Sequence, residues 1–450
     1  MRKILLTLTA GLAALPVHAQ TAPAAPGFDT AAALARIDAT IDKQYPHLDA
    51  LYKDLHTHPE VGFQEVRTAA ILAAEMRKLG FTVTEKVGKT GIVAILKNGE
   101  GPVLLVRAEM DALPMEEKTG LPYASRAQQT VDGKLSFVDH SCGHDSHMAW
   151  WVGAAAALAA MKDQWHGTLM FIGQPSEENV SGAKAMIADG LFTRWPKPDF
   201  GFAAHVAPLP IGTVMVKDGV VSSASDAIDI TFNGVGAHGS MPNMSIDPVM
   251  MGSRFVTDVQ SIISRGKDPK AFGVVTVGAF TAGTVNNIIP DHADLKLTLR
   301  SHDDATRKLL VEGVERTARA VAAMAHAPEP TITQPTGTNA VHNDAALSAR
   351  SAAMLKTVFG KDVQFVPASE SGGTASEDYS VFIDEGVPSV FFAIGGYDPA
   401  TIARYKAGGK PVPVNHSPYL APAPDPTIKR GAQTLALSAM MVLGNGAGAK

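Results

Sequence analysis

A chain of 450 residues with 46% apolar side chains has material for two packed domains. Its 39 basic and 44 acidic side chains, a formal charge of −5, argue against nucleic acid or an anionic membrane as the main partner. A single cysteine, Cys142, excludes an intrachain disulfide.

The chain begins MRKILLTLTAGLAALPVHAQ. Arg2 and Lys3 precede an apolar run, Ile4–Val17, and the small-residue site Val17-His18-Ala19. That pattern predicts a signal peptide over residues 1–19, too short to be a membrane span. The expected product is soluble and exported, periplasmic or secreted. In an oxidising compartment the lone cysteine is buried, bridged to another chain or held by a metal, and its neighbours favour the metal.

Gln20–Phe28 reads as a flexible lead-in. Apolar spacing predicts helices over Thr30–Leu55, with a break at Pro46, and over Val66–Leu79, stopped at Gly80. Strands follow at Phe81–Glu85, Gly91–Lys97 and Pro102–Arg107, then an Ala-rich helix at Gly143–Met161. Strand Thr168–Gly173, helix Gly182–Asp189 and strand Phe200–Val206 continue the alternation. Strands alternating with helices predict an α/β catalytic domain whose mostly parallel sheet is flanked by helices.

The pattern changes near Lys217. Strand Ser225–Asn233, helix Asp247–Arg265, strands Phe272–Phe280 and Ala293–Arg300, helix Asp303–Met324 and strand Glu329–Gln334 spell βαββαβ. That order predicts an inserted ferredoxin-like α+β satellite. The expected division is residues 28–216 and 336–450 for the catalytic domain and 217–335 for the satellite. Helix Ala345–Phe359, a Gly/Ser-rich loop at Ser369–Ser376, strand Ser389–Ile394 and a helix from Pro426 complete the catalytic part.

Asp139–His147, DHSCGHDSH, packs three histidines, two aspartates and the cysteine into nine residues. Imidazole, thiolate and carboxylate hold borderline-soft divalent metals. Four further clusters fall where loops follow strands: RAEMDALP at Arg107–Pro114, QPSEE at Gln174–Glu178, His205, and His416 in VNHSPYLAP. Ligand sites of open α/β sheets gather beyond the carboxyl ends of the strands. An adjacent pair such as Glu177 and Glu178 is ordinarily a solvated acidic surface, a lone strand histidine is ordinarily structural, and Asp111 could simply cap a turn. Beside a divalent cation both glutamates stay ionised, so one can ligate while its neighbour takes a proton.

These motifs run in order with LHTHPEVGFQE at Leu55–Glu65, GAKAMIADGLF, FAAHVAP, AHGSMP, DPV, NNIIPD at Asn286–Asp291, SEDYS at Ser376–Ser380 and NHSP. Together they resemble the hippurate-hydrolase and indoleacetyl-amino-acid-hydrolase branch of the dinuclear metallo-aminoacylase and carboxypeptidase family. The resemblance implies two divalent ions bound by Cys142, His144, Glu178, His205 and His416, one ligand bridging. Zinc suits cysteine with histidine, and manganese, cobalt and nickel accept similar donors. It implies Glu177 as general base, with Asp111 orienting the site from behind. The satellite would build a homodimer or larger oligomer, lending His238 to the neighbouring active site, and Asn287 and Arg300 would hold a substrate carboxylate. His140, Asp145 and His147 fall to supporting roles. The implied reaction is amide hydrolysis of N-acyl amino acids. Alternatives are a carboxypeptidase or dipeptidase on short peptides and a metal-loaded binding protein without turnover. Three departures stand out: Glu109 where the branch has Asp, Asn179-Val180-Ser181 in place of a glycine-rich segment, and Gly239-Ser240 with Asn243 around the shared histidine.

Overall fold

Residues 28–444 are described by the structure, a computed structural model; the predicted signal peptide lies outside them. The first helix, Thr30–Thr57, is capped by Asp29, whose carboxylate accepts the N–H groups of Ala31 and Ala32. It runs unbroken through Pro46, contrary to the expected break. A proline inside a helix costs about 3 kcal/mol. Ile37 and Ile41 before it, and Leu48, Leu51 and Leu55 after it, are all buried on one stripe. At about 1.5–3 kcal/mol per buried aliphatic side chain, that packing outweighs the proline.

The main sheet has eight strands in the spatial order Thr82–Val87, Gly91–Asn98, Gly167–Gln174, Val103–Glu109, Phe200–Pro210, Ser389–Tyr397, Val214–Lys217 and Val363–Val366. The four central strands run parallel. Antiparallel pairs lie toward both edges. The expected mostly parallel α/β architecture is therefore present. Val214–Lys217 and Val363–Val366, absent from the predicted elements, span four residues each, too few to display alternation. One face of the sheet is covered by the first helix, by His144–Ala160 and by Pro424–Leu443. His144–Ala160 is buried nearly all round, with Trp150 and Trp151 fully enclosed. Its alanines let neighbouring helices approach closely, and this packing fixes the helix start that carries the site.

The second sheet has Gly273–Ala282, His292–Ser301, Ala224–Asn233 and Thr331–Thr333 in that order, each pair antiparallel. With helices Pro248–Asp258 and Asp304–Met324 against it, this is the ferredoxin-like arrangement. Ile228, Ile230 and Phe232 face its core, as the alternation predicted. The expected helix Asp247–Arg265 stops at Asp258 and gives way to a wider turn at Ile262–Gly266. That turn seats Ile262 against Gly313 of the neighbouring helix, where a Cβ would come within 2.8 Å of it. Ser223 and His302 tie this sheet to the catalytic part through the carbonyls of Thr374 (2.9 Å) and Gly373 (3.0 Å).

Candidate metal centre

The carboxyl ends of the central strands converge as parallel-sheet topology requires. Asp111 follows Val103–Glu109, Glu177 and Glu178 follow Gly167–Gln174, and His205 lies within Phe200–Pro210. Cys142 and His144 flank Gly143, which has φ +89° and would place a Cβ 2.4 Å from Val206 Cγ1. Only glycine lets this loop lie against the strand and launch the helix at His144.

Hydrogen bonds fix the imidazole tautomers. His144 Nδ1 donates to the carbonyl oxygen of Asp111 (2.7 Å), because a carbonyl only accepts. Its bare Nε2 lies 3.9 Å from Glu177 Oε2 and 3.9 Å from Glu178 Oε1. His205 Nδ1 donates to the carbonyl of Val206 (2.8 Å), which turns Nε2 toward Cys142 Sγ at 3.4 Å. His416 Nε2 lies 3.2 Å from Glu178 Oε2. The structure thus brings together all five side chains expected to hold metal. Behind them Asp111, fully buried, accepts the N–H groups of Glu177 and Glu178, each at 3.0 Å.

These residues fit divalent cations. His144 Nε2 and Glu178 Oε1 are buried and have no hydrogen-bond partner, a costly state unless an ion takes the lone pairs. Donors 2.0–2.3 Å from a tetrahedral ion sit about 3.3–3.8 Å apart, close to the separations here. The charges agree. Burial, then Glu377 and Glu178, pushes the Glu177 carboxyl well above its ordinary range. Burial, then Glu178 and Glu177, pushes the Cys142 thiol well up. Burial holds His144 well below its usual value and His205 at about 3, so both imidazoles are neutral, as ligands must be. Crowded anions beside neutral imidazoles call for positive charge.

His147 lies close to Glu109, His144 and His205, yet both its nitrogens are committed. Nδ1 donates to Glu109 Oε2 (2.9 Å) and Nε2 accepts the N–H of Val206 (2.9 Å). Asp145 accepts from His56 Nδ1 (2.6 Å). Both therefore support rather than ligate. His140 is buried without a hydrogen-bond partner, and burial pushes it down to about 4.

One part of the site was not read from the sequence. Arg107, fully buried, binds Glu109, Glu377 (2.7 and 3.2 Å), Asp378 (3.4 Å) and Gln174 (2.9 Å). Asp378 also accepts from Gln174 (2.6 Å) and from the N–H of Ala183 (2.9 Å). Glu65 accepts the N–H of Ser176 (2.8 Å). The motifs SEDYS and LHTHPEVGFQE contain these acids, but nothing in their local spacing assigns them to this pocket. Beside Glu177 the turn at Asn179-Val180-Ser181 holds Val180 at φ +52°, with its N–H on the carbonyl of Glu177 (2.6 Å).

The satellite residues form a separate group. His238 is exposed, and its Nδ1 accepts the N–H of Ser240 (3.1 Å). The N–H of Gly239 bonds the carbonyl of Asn287 (2.8 Å), bringing Asn287 beside His238. Arg300 is half-buried opposite Ser225 and Val274, with Nη1 unpaired. Among the described residues, no hydrogen bond or ion pair joins His238, Asn287 or Arg300 to the metal cluster.

A Cys/His/Glu donor set at the carboxyl ends of a parallel sheet, with a second glutamate beside it, defines a metallohydrolase centre. The chain belongs to the peptidase family M20/M25/M40, whose pattern matches residues 105–419. Among known proteins it is 39% identical over 272 residues to the hippurate hydrolase of Campylobacter jejuni, covering 60% of this chain and 68% of that protein. It is 34% identical over 346 residues to the N-acetylcysteine deacetylase of Bacillus subtilis, covering 76% of this chain and 86% of that protein. A solved Bacillus subtilis structure, described as a dinuclear metal binding peptidase of the M20 family, is 26% identical with a TM-score of 0.69. It covers 89% of this chain and 99% of its own. The protein is a metallo-amidohydrolase of this family.

Proposed function

We propose that this protein hydrolyses the amide bond of N-acyl amino acids, with hippurate-type compounds as the leading substrates and two divalent ions, zinc first, as cofactor. The observation that carries this reading is Glu177 standing 3.9 Å from the unpartnered His144 Nε2, with its backbone pinned by Asp111. Held by Cys142, His144, Glu178, His205 and His416, the ions would supply polarisation of the substrate carbonyl and acidification of water. Glu177 takes the proton of the attacking water and delivers it to the departing amine nitrogen as the C–N bond breaks. Asp111 holds the Glu177 and Glu178 backbones so that one carboxylate faces the ions while the other faces substrate. In a homodimer, His238 of the partner subunit stabilises the oxyanion, and Arg300 and Asn287 hold the substrate carboxylate. Relatives described as hippurate hydrolase and N-acetylcysteine deacetylase support this substrate class.

The test is Glu177→Gln. Turnover is expected to fall by about 10²–10⁴, with metal content unchanged; comparable activity would remove Glu177 from the mechanism. The description of the structural neighbour as a peptidase favours a second reading, cleavage of short peptides. A panel of N-acyl amino acids against dipeptides separates the two. Export after cleavage near Ala19 completes the proposal, and N-terminal sequencing of the fractionated native protein tests it.

A further inference from the structure

Three segments that carry candidate ligands meet at one side chain that is not a ligand. The side-chain amide of Asn415 donates to the carbonyl of Cys142 (2.8 Å) and to that of Val206 (3.3 Å). Both partners are carbonyl oxygens, so the group facing them is the NH2 and both of its protons are used. The Val206 carbonyl is the same one that fixes the His205 tautomer. The next residue adds a backbone tie, as the N–H of His416 donates to the carbonyl of Ser141 (2.8 Å).

Two features show that this loop needs restraint. His416 has φ +67°, a left-handed conformation that is strained for a residue with a Cβ. Its side chain is 55% exposed, against 9% for its neighbour Glu178. It therefore has the least packing of the ligand candidates to hold it in place.

We propose that Asn415 is a positioning residue that locks the Cys142, His205 and His416 segments together, so that the ion shared by Cys142, Glu178 and His416 is held tightly. The inference rests on the two-ion reading of the site. Without the two N–H donors, the loop relaxes from its left-handed conformation and that ion is lost first.

Zinc content and the two zinc dissociation constants, by chelator competition on the full chain, test this. In Asn415→Ala and the same-sized Asn415→Asp, the weaker constant rises about 10–100-fold, the range for residues that orient ligands. The tighter constant and the metal-free melting temperature stay unchanged. Asn415→Gln, which keeps the donors on a longer stem, recovers part of the loss. Two unchanged constants in a folded variant overturn the proposal. So does an equal rise in both constants, or a lower metal-free melting temperature in all three variants, which would make Asn415 a purely structural tie. A wild-type chain that binds fewer than two ions refutes the two-ion reading and the brace with it. Two ions without amide cleavage refutes the proposed reaction alone.

Discussion

Replacing Arg107 with methionine keeps the apolar stem and removes the guanidinium from a pocket of acids. Arg107 is fully buried, and its bonds to Glu109, Glu377 and Asp378 place three carboxylates around one cation. Deleting one partner of a buried ion pair costs about 3–5 kcal/mol, because the opposite charge is stranded. With three acids stranded, the upper end is expected, against a typical total stability of about 5–15 kcal/mol. The assay is urea unfolding of the metal-free protein, followed by the fluorescence of the buried Trp150, Trp151 and Trp165. Its pH dependence follows from the acids. Burial pushes Glu377 up to about 8 and Asp378 up to about 6, with Arg107 opposing. A carboxyl group whose folded value is raised contributes stability at low pH that is lost as pH rises through that value. Removing Arg107 raises both values further, so the deficit of the variant grows from pH 5.5 to pH 8. Arg107→Met with Glu377→Gln removes one carboxyl group that folding would have to protonate and recovers part of the loss. A deficit under about 1 kcal/mol at pH 8, no more than an average surface or core change, would refute the reasoning, as would a deficit that shrinks with rising pH.

Burial lowers the proton affinity of His56, but hydrogen bonds to Asp145 and Glu117 outweigh it and push the imidazole up to about 10. Its contribution is therefore complete below about pH 6.5, the unfolded value, and lost as pH rises toward 10. The melting-temperature advantage of the wild type over His56→Gln should shrink across that window; a constant advantage counts against it. Val180→Gly relieves the left-handed strain at φ +52°, worth about 1–2 kcal/mol, less about 0.5–1 kcal/mol of chain entropy. A small rise in melting temperature is expected, and a clear fall would mean that Val180 packing exceeds the strain. Chelation should lower the melting temperature and zinc should restore it, by about 2.7 kcal/mol of stability at one hundred times the dissociation constant. No shift in either direction would show that the site does not hold zinc.

Much of the candidate centre is legible because its candidate ligands sit in short motifs after strands. Local density marks the stretch around Cys142 and His144, position after a strand and the resemblance pick out Glu177 and Glu178, and strand alternation places Ile228, Ile230 and Phe232 in the satellite core. What escaped lies in contacts that spacing does not encode. Glu377 reaches Arg107 from 270 positions away, and a charged residue in an apolar strand reads as exposed until its partners are known. Pro46 differs for a related reason: local propensity predicts a break, and burial against neighbouring helices decides otherwise. His238, Asn287 and Arg300 were read as site residues through likeness alone, and a single chain leaves them apart from the metal cluster.

Glu109, where the resemblance predicts aspartate, shows how far the supporting layer reaches. Burial opposes its charge, but Arg107 and His147 hold its carboxyl well below the ordinary range, so it stays ionised. An ionised acceptor requires a proton on His147 Nδ1, 2.9 Å away, which leaves His147 Nε2 bare. That lone pair takes the N–H of Val206 and so fixes the peptide that joins His205 to Val206. Separately, the carbonyl of Val206, in the next peptide, takes the proton of His205 Nδ1, so His205 Nε2 is bare toward Cys142. One buried guanidinium thus sets, through a carboxylate and an imidazole, the peptide that follows a candidate ligand. The added methylene of Glu109 lies in this relay between Arg107 and His147. The longer side chain therefore bears on the backbone that carries His205 and leaves the donor set intact.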